Sequence, residues 1–402
     1  MKNHQSKIGE IQLEKENEKI WTRDFVLICV SNFFVFLSFQ MTLPTIPLFV
    51  KHLGGNDQLI GLVVGIFTFS ALLIRPIAGH VLETRGRRFV YLLGLAIFTF
   101  SLGSYALATS ILFLFMMRVI QGIGWAYSTT ASGTIATDII PPHRRGEGMG
   151  YFGLSGNLAL AIGPSLGLAL TKVLTFEELF LICTGLALAA MLFSTQIRYK
   201  KVEPEKNDPV RLKWDFYEKT ALKPSLLLFF ITVTFGGIAT FLPLYSAQKG
   251  VTGIQWYFLI YALSLMATRT FAGRLYDKKG HKAVFIPGTA LIISAMILLS
   301  WLPNSWTLYL AAVLYGFGFG TIQPALQAWA TENAPKNRKG MANATFFSFF
   351  DLGVGLGAMV FGQIGHSFGY FSIYIGAALS VFISVVLYIS LLMKNSRKVH
   401  EI

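Results

Sequence analysis

Two ionisable residues lie deep inside apolar stretches of this sequence, where charge is costly and marks a candidate functional position. Asp351, in FFSFFDLGVGLG, is the only carboxylate placed well inside such a stretch. It stands about eleven residues from one end, close to mid-depth for a helix rising ~1.5 Å per residue. A carboxyl there can take up and release a proton, and it reads equally as a hydrogen-bonded structural group. Arg118, in MMRVIQGIGWAY, lies about seven residues from the opposite kind of end, roughly 10 Å deep by the same rise. A guanidinium keeps its proton, so Arg118 must pair, face water, or reach back to the nearer interface. Gln121 and the glycines beside it mark that face as packed or pore-facing. The chemistry on offer is proton relay rather than bond making.

Soluble-enzyme chemistry has no footing in the residue order. There is no P-loop and no H-E-x-x-H, and the seven His show no metal-ligand spacing. Neither a cofactor nor a metal is expected. Cys29 and Cys183 both fall in apolar stretches, which reads as buried free thiols rather than a disulfide.

The elements that must position Asp351 and Arg118 are membrane-spanning helices. Of 402 residues, 53% are hydrophobic and only 13% charged, where a soluble domain carries about a quarter charged. The apolar blocks run to about 20 residues, the length that crosses a bilayer. Twelve spans are expected, at 25–50, 59–82, 89–108, 111–134, 147–170, 177–197, 224–247, 253–276, 283–302, 305–330, 341–366 and 370–393.

The net charge of +14 raises the question of nucleic acid, and its placement answers it. Only Lys51, Lys172 and Lys249 lie in one set of alternating connections, and Arg75, Arg118 and Arg269 lie inside spans. All other Lys and Arg lie in, or at the edge of, the terminal segments and the other set. That bias predicts both termini in the cytoplasm of a multi-pass protein of the cytoplasmic membrane, with no nucleic-acid role. The Lys/Glu-mixed arm before Trp21 lacks the pattern of a cleaved signal, so the first span is expected to be retained.

The sequence also repeats itself without gaps. Arg75 aligns with Arg269, Gly79 with Gly273, Glu83 with Asp277, Gly86 with Gly280 and Arg88 with Lys282. The same register carries Asp138 onto Glu332 and Asn157 onto Asp351. A displacement of six spans keeps both halves in one orientation, a parallel duplication around a central path. The expected division is an arm at 1–24, a six-helix bundle at 25–197, a polar linker at 198–223, a second bundle at 224–393 and a tail at 394–402. Arg75 and Arg269 are expected to anchor the cytoplasmic interface or to pair with Asp138 and Glu332.

The duplicated turns GHVLETRGRR (79–88, with Arg85 and Arg87) and GRLYDKKGHK (273–282) suit tight helix–loop–helix connections whose acid caps a helix or pairs with a base. They resemble the loop signature of the major facilitator superfamily, G-x-x-x-D-x-x-G-R-[KR], with Glu83 in place of Asp. Arg118-Val-Ile-Gln121-Gly122-Ile-Gly124 is similar to that family's R-x-x-Q-G-x-G element, and Gly163-Pro164-Ser-Leu-Gly167 to its antiporter G-P-x-x-G element. Leu168 and Ala159 stand where that antiporter element has further glycines. The resemblance covers nearly the whole chain and implies an all-α integral membrane fold of two six-helix bundles. It also implies a role for Arg118 in proton coupling.

Helices 1, 4, 7 and 10 line the cavity in that family. The resemblance therefore makes Asn32, Gln40, Gln121, Trp125, Gln323 and Gln327 polar or aromatic cavity candidates, and Asn157 of the fifth span joins them as the repeat mate of Asp351. Phe25, Phe33, Phe39, Phe235, Phe241, Tyr245 and Tyr315 are candidates for its aromatic walls. LIRPIAG (73–79), PPHRRGEG (141–148) and TFLPLY (240–245) resemble bacterial exporters of drugs and metallophores. The function this implies is proton-coupled efflux of a small organic molecule by a monomer. Proton symport of a nutrient and a non-transporting membrane sensor are the other readings.

Overall fold

The computed structural model describes residues 19–141, 144–199, 217–332, 334–335 and 339–400; side chains are not described at 83, 145–147, 269–279, 339–340 and 392–400. The first six helices are α1 (Arg23–His52), α2 (Asp57–Arg85), α3 (Arg87–Tyr105), α4 (Ile111–Ile139), α5 (Arg145–Leu170) and α6 (Phe176–Thr195). A 3-10 turn at Lys219–Ala221 opens the second six. These are α7 (Leu222–Gln248), α8 (Ile254–Lys279), α9 (Lys282–Trp301), α10 (Ser305–Glu332), α11 (Lys339–Phe368) and α12 (Tyr370–His400). Eleven of the twelve are long and apolar enough to cross a membrane; in α8 the apolar run among described residues is Ile254–Thr268.

Local chemistry sets the helix ends. Thr22, Asn56 and Ser110 accept hydrogen bonds from Phe25, Leu59 and Phe113 N–H groups, capping α1, α2 and α4. Thr175 and Glu178 form a capping box at α6. Gly86 (φ 89°) and Gly280 (φ 71°) turn the chain between α2 and α3 and between α8 and α9. A left-handed residue is needed at each, which is why the repeat carries glycine at both.

The helices pack as the duplication predicts. In the first half α1 meets α5 and α6, α2 meets α4, and α3 meets α4 and α6. The second half repeats this: α7 meets α11 and α12, α8 meets α10, and α9 meets α10 and α12. The halves join along two seams, α2 against α11 and α5 against α8, which exchange under the repeat. Large apolar side chains such as Leu73, Phe100, Leu192 and Phe382 point outward, as lipid-facing positions do when the surrounding medium is itself apolar.

The bundle has one basic end, carrying the Gly86 and Gly280 turns, and a far end carrying the α1–α2 and α7–α8 turns. At the far end the halves touch closely. A methyl added to Gly61 would lie 2.5 Å from the Ala358 carbonyl oxygen, and one on Gly362 would lie 2.6 Å from that of Asp57. Glycine there lets two backbones meet, the usual device between membrane helices. Tyr370 donates to Asp57 at 2.7 Å, Gln58 to Gln363 at 2.7 Å and Lys172 to Gln255 at 3.1 Å. Toward the basic end Gly79, Gly150 and Gly153 face open space. The structure is closed at the far end.

Candidate functional site

A cavity of about 410 Å³ lies between the halves. Its wall comes from α1, α2, α4 and α5 and from their repeat mates α7, α8, α10 and α11. Several of these wall helices carry interior prolines that bear on it. Pro44 of α1 has no N–H to give to the carbonyl of Gln40, a lining residue, and Pro324 of α10 follows the lining residue Gln323.

Asp351 lies in this wall, and so does Arg75. Arg75 Nη2 donates to Asp351 Oδ2 at 2.6 Å, closing an ion pair between α2 and α11. The side chains are 28% and 27% exposed, so the pair is partly screened and reachable from the cavity. Arg75 was expected to anchor the interface or pair with Asp138. Instead Asp138 Oδ2 accepts from Arg87 Nε at 3.0 Å, within the first half. The reason is geometric: the α2–α11 seam brings Asp351 to Arg75, while the Gly86 turn swings Arg87 to the end of α4. Asn157, the repeat mate of Asp351, lines the cavity from α5. The side chain of Arg269, the mate of Arg75, lies outside the described residues.

Arg118 is 2% exposed and is in no ion pair among the described residues. Its Nε donates to the Val63 carbonyl at 3.1 Å, Nη1 to Gln121 Oε1 at 2.6 Å and Nη2 to the Val64 carbonyl at 3.5 Å. The guanidinium also lies over the Phe67 ring, 4.4 Å from its centroid. Helical carbonyls have a second lone pair, and α2 offers two of them here. Gly122 brings α4 close enough, since a methyl there would lie 2.5 Å from the Phe67 carbonyl oxygen. Arg118 thus contributes a fixed positive charge to the wall, with each of its three nitrogens donating to the protein. It neither snorkels nor pairs with Asp351.

Gln121 is a correction in position. Its Oε1 accepts from Tyr105 at 2.6 Å as well as from Arg118, so it stands behind the arginine and outside the lining. Asn32, Gln40, Trp125 and Gln323 do line the cavity. Asn32 donates to Ser155 at 2.9 Å and accepts from Ser132 at 3.4 Å, tying α1 to α5 and α4. Gly163 and Gly167 let α5 cross α1 next to Gln40 and Met41, and Pro164 lies between them within α5. Gln327 donates instead to Asn343 at 3.1 Å, joining α10 to α11 outside the lining.

The aromatic wall differs from expectation. Phe39 stacks on Trp125 at 4.3 Å and on Phe67 at 5.0 Å, and Phe235 stacks on Phe319 at 6.3 Å. Phe350, beside Asp351, meets Phe319 edge-on at 6.1 Å. Phe241, Tyr245 and Tyr315 are buried inside the second half instead. Phe241 faces Tyr370, Tyr245 donates to the Ser300 carbonyl and Tyr315 bonds Thr234. Phe25 and Phe33 also lie outside the lining. Sequence reasoning missed Phe36, Phe152, Tyr261 and Phe350, because a helix apolar all round gives no phase from which to read the inward face.

At the basic end, Arg85 lies over Phe89, 5.7 Å from the ring centroid, and Arg88 and Lys282 are exposed. The side chains of Glu83 and Asp277 lie outside the described residues, as does that of Gly273's helical neighbourhood. Glu332 is exposed on the last turn of α10. Between α8 and α9, His281 bonds Tyr388 through Nδ1 at 2.6 Å and stacks on Trp329 at 4.6 Å. Burial and the neighbouring Lys282 push its pKa below the ordinary histidine value, with Glu332 opposing.

Comparison with known proteins agrees with this geometry. The family description "Major Facilitator Superfamily" matches residues 28–254 and 225–401. The chain is similar to the staphylopine export protein of Staphylococcus aureus, 24% identical over 355 residues that cover 85% of this chain and 89% of that one. It is likewise similar to the multi-drug resistance efflux pump PmrA homolog of Lactococcus lactis, 24% identical with 91% and 94% covered. Among solved structures, a bacterial homolog of the human lysosomal transporter Spinster, in an inward-facing and occupied conformation, superposes with a TM-score of 0.74. It is 17% identical, with 93% of this chain and 97% of that one covered.

Proposed function

The chain belongs to the Major Facilitator Superfamily, and from that premise we propose that it exports a small organic molecule in exchange for protons. It is a multi-pass membrane transporter rather than an enzyme. The two halves, at 25–197 and 224–393 with the linker 198–223 between them, rock about the cavity as a monomer. The basic end faces the cytoplasm, as the Lys and Arg bias argues, so both termini are cytoplasmic and the described state opens inward. The membrane is the cytoplasmic membrane of a bacterium.

The observation that carries this reading is the Arg75–Asp351 pair across the halves at 2.6 Å. A carboxylate held by an arginine of the other half links protonation to the relative position of the halves. Protonating Asp351 removes the attraction, and release of that proton to the cytoplasm lets the pair form again in the inward state. Arg118 supports coupling through the field it sets in the cavity wall. The turns at Gly79–Arg88 and Gly273–Lys282 act as latches at the basic end, with Arg87–Asp138 bracing the first. Export is favoured over import by the similarity to an export protein and an efflux pump homolog.

The test is transport in inside-out vesicles holding the chain and an inward-acid pH gradient. Candidate drugs and metallophores are added outside, and the gradient is followed with a pH-sensitive dye. An exporter dissipates the gradient as it takes substrate in. A symporter instead needs the substrate inside to do so, and no flux with any compound supports the sensor reading.

A further inference from the structure

The cavity's charge and hydrogen-bond inventory points to the chemistry of what it carries; the argument rests on the transporter reading of that cavity. Its described lining holds three residues charged at neutral pH: Arg75, Arg118 and Asp351. Two guanidinium groups stand against one carboxylate, so the wall carries an excess positive charge in a site shielded from water, where fields are strong. Each nitrogen of Arg118 already donates to a carbonyl or to Gln121, so it is held against α2 and α4 as a source of field. Arg75 does have one: its Nε is buried with no hydrogen-bond partner. Gln40 Oε1, also in the lining, is a buried acceptor with none. Buried polar groups left unmatched in this way are satisfied by whatever completes the site.

Flat aromatic faces make up much of the rest of the wall, with Phe39, Phe67 and Trp125 stacked on one side and Phe235 and Phe319 on the other. We infer that the cavity takes a planar aromatic carboxylate, whose oxyanion docks on Arg75 in competition with Asp351 and whose N–H or O–H group meets Gln40. Guanidinium and carboxylate match as a two-pronged pair, with Arg75 Nε and Nη2 as the prongs. A lipophilic cation of the same size meets two arginines and a carboxylate already taken. Aromatic rings attract cations, but Arg118 already occupies the face of Phe67.

The experiment is calorimetric titration of the full chain in lipid nanodiscs, a binding measurement that needs no transport. The probes are 2-naphthoate, 2-naphthamide and 2-naphthyltrimethylammonium. Naphthoate is expected to bind at least tenfold tighter than either of the other two. Asp351→Asn frees Arg75 and should tighten naphthoate severalfold, an increase that general damage to the fold does not give. Arg75→Gln should erase the preference for naphthoate over naphthamide. Among the 6- and 7-hydroxy-2-naphthoates at least one should bind tighter than 2-naphthoate, with the gain absent in Gln40→Leu. Cation binding equal to or tighter than naphthoate overturns the inference, as does weakening by Asp351→Asn. Charge preference without any vesicle flux sinks the transport reading while leaving this one standing; flux confined to cations does the reverse.

Discussion

Arg75 of α2 and Asp351 of α11 are joined at 2.6 Å between the two halves, although they lie 276 positions apart in the chain. No other ion pair among the described residues crosses between the halves. The bond sits on the seam where glycines press α2 and α11 together toward the far end. Toward the basic end, Gly79 faces open space.

Removing one partner of this pair should cost stability, and removing both should restore part of it. Breaking a fully buried pair costs about 3–5 kcal/mol, and solvent access reduces that, so about 1–3 kcal/mol is expected for Arg75→Gln or Asp351→Asn. The double substitution should lie above the lower single. Thermal unfolding in detergent measures all four proteins, and strict additivity of the two losses would remove the energetic coupling.

Arg118→Lys should behave as a severe change despite keeping the charge. An ammonium cannot reach the Val63 and Val64 carbonyls and Gln121 together as the planar fork does. Losing charge-assisted bonds of this kind costs about 1.5–3 kcal/mol each. A fall in melting temperature and in vesicle transport is expected; wild-type values for both would contradict the bonding described.

The far-end seam should have to part once per cycle. Gln58→Cys with Gln363→Cys, in a Cys29→Ala and Cys183→Ala background, places two thiols where a 2.7 Å hydrogen bond now joins the halves. A short reducible thiol crosslinker should stop transport and a reductant should restore it. Undiminished transport with the crosslink shown to be complete would mean that this end does not open.

His281 gives the stability a pH dependence with a definite sign. Its folded pKa lies below the ordinary value of 6.5, so the folded state binds protons less readily than the unfolded. The stability this represents is present above pH 6.5 and is lost as pH falls below that value. Melting temperature should drop between pH 7.5 and 5.5 by more in the wild type than in His281→Gln. An identical drop in both assigns the sensitivity elsewhere.

Much of this was legible from residue order because membrane helices announce themselves by length. Duplicated Gly, Pro and charged residues then set the register of the repeat. Gly86 and Gly280 predicted the turns they make. The pairing of Arg75 was not legible, since nothing local ties α2 to α11; only packing of the halves does. The cavity wall was legible in its polar residues, Asn32, Gln40, Asn157 and Gln323. Its rings were not, because Phe235 and Phe241 sit on one apolar helix and only the fold says which faces inward.

The central claim is that Asp351 carries the coupling proton. Inside-out vesicles with wild type or Asp351→Asn test it most directly, with substrate uptake measured both under an inward-acid gradient and as exchange without one. The account predicts that Asp351→Asn loses gradient-driven uptake while keeping substrate binding and exchange. Gradient-driven uptake at the wild-type rate would contradict it.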